Sequence, residues 1–168
     1  MRKLERMSQR LALTLQAASN ILLIAIVVLI FVEVVSRYIF GESRAFMEEF
    51  SKWWQVWLTY LMLGVITKGR RHISIDILPR RLPERYKPTL FLVYDIAILG
   101  FAIVLSWSGI QSVTQLKELE MVSATEIEIP MWIVHLCIAL GGMFLAFFSI
   151  ERLAIDIVSL GKHPGEKE

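Results

Sequence analysis

The chain contains 168 residues, of which 55% are hydrophobic and 20% are charged, and its formal net charge is +2. This charge gives no indication of a nucleic-acid partner, and the single cysteine, Cys137, excludes an internal disulfide and a cysteine-based metal site. Composition alone does not separate soluble from membrane proteins, so the positions of the apolar residues decide the class.

The apolar residues are concentrated in long runs. Leu11–Val32, Ile96–Leu116 and Ile129–Ile150 each contain about 20 residues without a charge, enough for a helix to cross a hydrocarbon core of about 30 Å. Trp53–Thr67 is shorter between charges, but it extends N-terminally on a helical period. The sequence therefore predicts an all-α integral membrane protein, with a single four-helix domain over residues 1–168.

Turn and cap residues set the expected boundaries. Gly41 lies in a tight turn after the first helix, and Ser43 is a suitable N-cap for the second. Pro88 and Pro130 open the third and fourth helices, at a position that proline favours. We expect the first span to be retained as an anchor, because no small-residue cleavage pattern follows it. The expected spans are residues 11–40, 44–68, 88–116 and 129–158.

The loops differ in charge. Basic residues predominate before the first span and between the second and third, whereas the loop between the third and fourth is acidic. Lys and Arg in short loops favour the cytoplasm, so we expect both termini and the central loop to lie on the cytoplasmic side of the membrane. Within the central loop, His72–Leu78 alternates apolar and polar residues. This pattern predicts an amphipathic segment at the cytoplasmic interface, in contact with membrane lipids.

Four charges flank the turn at Gly41. Glu33 and Arg37 lie four residues apart on the first helix, in the order that favours an ion pair. An antiparallel hairpin brings Arg37 level with Glu48, and Glu33 level with Lys52. We therefore predict that both pairs join the outer ends of the first two helices. A role of these charges in substrate or ion movement is the alternative.

The second helix has a polar face beside a largely aromatic one. The polar stripe is Glu48, Lys52, Gln55 and Thr59, and the aromatic stripe is Glu49, Trp53, Trp57, Tyr60 and Gly64. In the fourth helix, Gly141, Gly142 and Ala146 have the small-residue spacing that allows close helix approach. The aromatic stripe and these small residues exceed what four helices need for their own packing. We therefore predict that both sets contact a larger membrane partner.

Two further polar residues lie within the apolar spans. Asp95 is near the cytoplasmic end of the third helix, and His135 is near the outer end of the fourth. We interpret both as packing residues, with a functional role as the alternative. His72 lies on the opposite side of the membrane from His135, so these histidines cannot ligate one haem. The sequence has no zinc motif, phosphate-binding loop or activated nucleophile, so we expect neither a cofactor nor enzymatic activity.

A set of short motifs accompanies the spans in a fixed order. They are Arg37-Tyr38-x-Phe40, Glu48-Glu49, Trp57, Gly64, His72-Ile73-x-Ile75-Asp76-x-Leu78, Ile129-Pro130-x-Trp132 and Glu151-Arg152-Leu153. This ordered set resembles the small membrane subunit of TRAP transporters, the tripartite ATP-independent periplasmic carriers. The resemblance covers about Ala17–Leu153, and the chain length, helix number and basic central loop agree with it.

The resemblance implies a scaffold rather than a transport pathway, and it implies that the chain lies in a bacterial inner membrane. In this family a large membrane subunit carries the sodium and substrate sites, and a soluble periplasmic protein delivers an organic acid. Sodium would therefore bind the large partner, and His72 and Asp76 would belong to a cytoplasmic loop motif of the small subunit. Two alternatives are a membrane anchor of a respiratory or quinone-linked enzyme and a small stand-alone multidrug exporter.

Overall fold

The computed structural model describes residues 2–41, 45–68, 87–124 and 127–160. The predicted all-helical class is confirmed in these residues, and the predicted loop segment, with His72 and Asp76, lies outside them. The first helix begins well before Leu11, because it continues through the basic residues that precede the apolar run. The other helix ends lie close to the expected boundaries. The helices are α1 (Arg2–Val35), α2 (Ala45–Lys68), α3 (Lys87–Glu118) and α4 (Met131–Leu160).

The chain leaves α1 through an irregular turn. Ser36–Phe40 form a π-helical turn, and Gly41 follows in the left-handed conformation, with φ of 69°. This conformation costs glycine little because glycine has no Cβ, and it is a common way to end a helix. A π-helical turn contains more residues than an α-helical one, so it changes the angular register of Arg37 relative to a straight α-helix.

Hydrogen bonds hold the described part of the loop between α3 and α4. The Met131 amide donates to the Met121 carbonyl at 2.9 Å, and the Ser123 amide donates to the Ile129 carbonyl at 2.9 Å. The Ser123 hydroxyl also donates to the carbonyl of Ile127 at 2.8 Å. These bonds bring the two ends of the loop together, so α3, which precedes the loop, and α4, which follows it, form a closely packed antiparallel pair.

The helices pack in an open row. The extensive contacts join α1 to α2, α2 to α4, and α4 to α3. Small residues permit the closest of these approaches. A side-chain carbon on Gly109 would lie 2.5 Å from the Ala139 nitrogen, and one on Gly142 would lie 2.6 Å from Ser106 Oγ. α2 and α4 therefore occupy the middle of the row, and α1 and α3 form its edges.

The edges of the row are apolar and exposed. Leu15, Leu61 and Phe148 form a buried core, whereas Phe31 of α1 and Trp107 of α3 are exposed at 68% and 66%. Such surfaces suit contact with lipid. α2 is interrupted by polar residues and does not reach the apolarity of the others. Among the described residues, three helical segments are long and apolar enough to cross a membrane: Arg6–Phe40, Thr89–Glu118 and Met131–Ile157.

Candidate functional site

A chain of polar contacts lies at the end of the bundle that contains Ser8. The Ser8 hydroxyl donates to Glu151 Oε1 at 2.5 Å, and Lys68 Nζ donates to Ser8 Oγ at 2.6 Å. Lys68 Nζ also lies 3.9 Å from Glu151 Oε2 and 5.5 Å from the centre of the Phe148 ring. These contacts connect α1, α2 and α4.

Arg152 extends this chain of contacts to α3. Its Nη1 donates to the backbone carbonyl of Thr67 at 2.6 Å and lies 3.9 Å from Asp95 Oδ1. Thr67 lies in the last turn of α2, where carbonyls lack a partner within the helix and the helix dipole is negative. The Arg152 charge therefore caps α2 and pairs with α3 at the same time. We call this group the polar junction, and it consists of Ser8, Thr67, Lys68, Asp95, Glu151 and Arg152.

The polar junction is shielded from solvent except at Lys68, which is half-buried. Ser8 and Asp95 have no exposed surface, and Arg152 retains only 5% exposure. Buried charges are tolerated when they are paired and hydrogen-bonded, and removal of one partner of a buried pair costs about 3–5 kcal/mol. Among the described residues, no group of three potential ligands could hold a metal ion. The contacts of the junction join all four helices.

The sequence contained part of the signal for this junction. Asp95 and the pair Glu151-Arg152 interrupt or directly follow apolar runs, and such charges require partners in a membrane protein. Ser8 and Thr67 gave no signal, because small hydroxyl residues are common in helices and only the helix rotation brings them together. The contact of Asp95 with Arg152 fits the structural interpretation of that residue.

At the opposite end of the bundle, the hairpin charges pair within their own helices. Arg37 Nη2 lies 2.5 Å from Glu33 Oε1, and Lys52 Nζ lies 2.7 Å from Glu48 Oε1. The predicted salt bridges across the hairpin are therefore wrong. Arg37 attracts Glu48 across the hairpin, and Glu33 attracts Lys52, but each attraction is weaker than that of the Glu48–Lys52 pair within α2. Side chains four residues apart on one helix already meet. The π-helical turn at Arg37 also breaks the mirror register on which the prediction depended.

The glycines that were predicted to meet a partner are used inside the bundle. A side-chain carbon on Gly141 would lie 2.7 Å from the Tyr60 carbonyl oxygen, and one on Gly64 would lie 2.8 Å from the Phe148 ring. Gly142 is likewise buried, against α3. The prediction that these glycines form a partner interface is therefore corrected. Their function in the structure is to let α4 approach both of its neighbours.

The rest of the aromatic stripe is partly buried. Trp57 packs against the buried core, and Trp53 and Glu49 are half-buried. One carboxylate oxygen of Glu49 is buried without a hydrogen-bond partner among the described residues. Ala146 is half-buried and lines an apolar groove between α3 and α4 with Trp107 and other residues. The contact predicted for Ala146 with a partner stays a prediction.

The polar stripe of α2 has the opposite orientation. Its four members, Glu48, Lys52, Gln55 and Thr59, are all exposed. The Thr59 hydroxyl donates back to the Gln55 carbonyl at 2.8 Å, so that hydroxyl is satisfied within the helix. The polar stripe therefore lies on the outer face of α2, whereas the stripe that was predicted to contact a partner is more buried.

His135 makes a polar contact inside the pair formed by α3 and α4. Its Nδ1 lies 2.8 Å from the Ser112 hydroxyl oxygen. Cys137 is buried two residues further along α4, and its thiol donates to the Val134 carbonyl at 3.0 Å. Both side chains are accounted for by packing and hydrogen bonding between neighbouring turns and helices.

The family follows from a match that covers most of the chain. The sequence pattern of the family described as "Tripartite ATP-independent periplasmic transporters, DctQ component" matches residues 26–158. The chain belongs to this family. The resemblance seen in the motifs is thereby confirmed, and the DctQ family consists of transporter components. Lys68, Asp95, Glu151 and Arg152 of the polar junction lie within the DctQ match, whereas Ser8 precedes it.

Individual relatives agree with the family. Two proteins of Haemophilus influenzae that carry the name of a TRAP transporter small permease protein are similar to this chain. One is 27% identical over 139 residues, covering 82% of this chain and 84% of the relative. The other is 26% identical over 156 residues, covering 90% of this chain and 94% of the relative.

A third relative is much longer. The "Isethionate TRAP transporter permease protein DctMQ" of Oleidesulfovibrio alaskensis is 23% identical over 138 residues, which make up 79% of this chain. The match spans only 22% of that relative. A DctQ-like portion is therefore one part of a larger permease chain in that organism.

Proposed function

We propose that this chain is the small membrane subunit of a TRAP-type secondary transporter. In this proposal it scaffolds a large sodium-coupled permease subunit, which takes up an organic acid delivered by a periplasmic binding protein. The observation that carries the proposal is the DctQ match over residues 26–158. Membership of a family of transporter components also argues against the anchor of a respiratory enzyme and the stand-alone exporter.

The longer relative supports a large membrane partner. In the DctMQ permease, the region similar to this chain makes up 22% of a single longer polypeptide. Portions of one polypeptide are held together permanently, so the DctQ-like region of that relative works beside the rest of its permease. A separate small chain of the same family would do the same through non-covalent contacts.

The open row of helices supports a bracing role. Extensive contacts join only neighbouring helices of the row, and polar contacts across the row come together in the polar junction. The edges expose apolar side chains, and Glu33, a buried intramembrane acid, pairs with Arg37 near a helix end. A substrate pathway needs polar groups around a cavity at mid-membrane, whereas a brace needs joined helices and free outer faces.

α2 is proposed to be the fourth span, with both termini cytoplasmic. Its Leu61 packs in one core with Leu15 of α1 and Phe148 of α4, and both of those helices are apolar enough to cross the membrane. A helix packed lengthwise between two spanning helices lies at the same depth. The basic N-terminal segment and central loop, together with the acidic loop between α3 and α4, support this orientation through the positive-inside rule.

Reconstituted transport tests this function. The large permease subunit of the same genome is placed in liposomes with and without this chain, together with its binding protein and a sodium gradient. Uptake of the radiolabelled organic acid that this binding protein carries should require all three proteins. Equal uptake without this chain, or uptake by this chain alone, would contradict the proposal.

A further inference from the structure

The outward face of α2 is unusual for a helix in contact with lipid. Glu48, Lys52, Gln55 and Thr59 form an exposed stripe about three turns long, while the aromatic face of the same helix is turned inward. Polar side chains in spanning helices are costly when they face hydrocarbon, and they generally face protein or water. Glu48 and Lys52 pair with each other and the Thr59 hydroxyl bonds to the Gln55 carbonyl, so the Gln55 side chain is the member of the stripe that requires a polar neighbour.

Gln55 is the member of the stripe for which depth matters most. It lies near the middle of α2 and is exposed. At 1.5 Å per residue it is about 15 Å from the N-terminal end of the helix, further than a glutamine side chain reaches. Its amide therefore cannot extend to the headgroup region, unlike a lysine near a helix end. The amide needs a hydrogen-bonding partner at its own depth.

The charge of the stripe limits the chemistry of its neighbour. Glu48 and Lys52 form an ion pair with N–O distance 2.7 Å, so their charges offset each other. Gln55 adds a neutral donor and a neutral acceptor. A complementary helix therefore needs neutral hydrogen-bonding side chains such as Ser, Thr, Asn or Gln rather than a net charge.

We propose that the polar stripe of α2 docks against a transmembrane helix of the large permease subunit that presents neutral hydrogen-bonding side chains at mid-membrane. This inference rests on the proposed function, which supplies the large subunit. It assigns the contact to the polar face of α2, not to the aromatic stripe or the glycines of α4. Trp57, Gly64 and Gly141 already pack inside the bundle, and Gly142 packs against α3.

Site-specific photo-crosslinking in native membranes tests the contact. Benzoylphenylalanine is placed at Gln55 or, as the control, at Val104, which is exposed at 66% near the middle of α3. The large permease subunit of the same genome carries an epitope tag. We expect at least fivefold more adduct with the tagged subunit from position 55 than from position 104. A smaller ratio, or adducts between two copies of this chain from position 55, would overturn the proposal.

The substitution Gln55→Leu gives an independent test, because its effect on assembly with the large subunit depends on whether Gln55 faces lipid or that subunit. If Gln55 faced lipid, Gln55→Leu would favour the membrane-inserted chain and leave assembly unchanged. If it faces the large subunit, Gln55→Leu loses an interhelical hydrogen bond and lowers the equilibrium constant for assembly about fivefold. Gln55→Asn keeps the amide and should retain part of the affinity.

The readout is the amount of tagged large subunit that co-purifies with each variant, relative to the wild-type chain. Yield of Gln55→Leu equal to or above wild type would refute the docking face. Absence of co-purification with the wild-type chain would instead refute the proposed function, so the two failures are distinguishable.

Discussion

Arg152→Met should destabilise the isolated chain more than any exposed substitution. Arg152 is only 5% exposed. Its guanidinium donates to the Thr67 carbonyl at 2.6 Å and lies 3.9 Å from Asp95 Oδ1. Methionine keeps an unbranched side chain but removes the charge and all donors. The variant therefore loses a cap on α2 and one ion-pair partner of a buried carboxylate.

The expected loss can be bounded from these two contacts. A hydrogen bond from a charged group contributes about 1.5–3 kcal/mol, and removal of one partner from a buried pair costs about 3–5 kcal/mol. The two figures overlap in part and are not summed. Asp95 has further interactions in the structure, which places the expected loss at the lower end, about 3 kcal/mol.

Unfolding by sodium dodecyl sulfate in mixed micelles, followed by the fluorescence of the five tryptophans, measures this change. Arg152→Lys is the matched control, because an ammonium keeps the positive charge but has three donors on a single nitrogen, whereas a guanidinium has five in a fixed planar arrangement. Its loss should be smaller than that of Arg152→Met. Adding Asp95→Leu to Arg152→Met should recover part of the stability, since both buried charges are then gone. A loss below about 0.5 kcal/mol for Arg152→Met would refute the role assigned to the polar junction.

Two further predictions concern topology and packing. A reporter that is active only in the periplasm should be silent when fused at Glu168 or after Arg81 and active after Glu120, and activity after Arg81 would reverse the proposed orientation. Gly109→Val should separate α3 from α4 and lower the midpoint of detergent unfolding, because a side-chain carbon at Gly109 would lie 2.5 Å from the Ala139 backbone nitrogen. Gly100 has open space around it, so Gly100→Ala should leave stability unchanged or raise it slightly.

The helices themselves were predictable because the membrane restricts the choice of structure. Uncharged runs such as Ile96–Leu116 must satisfy their backbone groups internally, so each predicts a helix. α2 was also predicted, although it carries a polar stripe, because its apolar residues follow a helical period. The start of α1 was missed, since the sequence pattern marks the apolar span and not the polar continuation of the helix.

The rotation of the helices was not predictable in the same way. In water, apolar faces turn inward, but in lipid the surroundings are as apolar as the interior, so hydrophobicity does not decide which face packs. The aromatic stripe of α2 was therefore assigned outward, whereas close approach at Gly64 and Gly141 turns it inward. The pairing of Glu33 with Arg37 was visible in the sequence, but the π-helical turn that alters the hairpin register was not.

The central claim of a partnership with a large membrane subunit is tested most directly by the mass of the purified assembly. The tagged chain is co-expressed with the large permease subunit of its own genome, extracted in a mild detergent and analysed by native mass spectrometry. We expect a complex that contains one copy of each chain. Monomers or homodimers of this chain alone, from membranes in which the large subunit is present, would contradict the account.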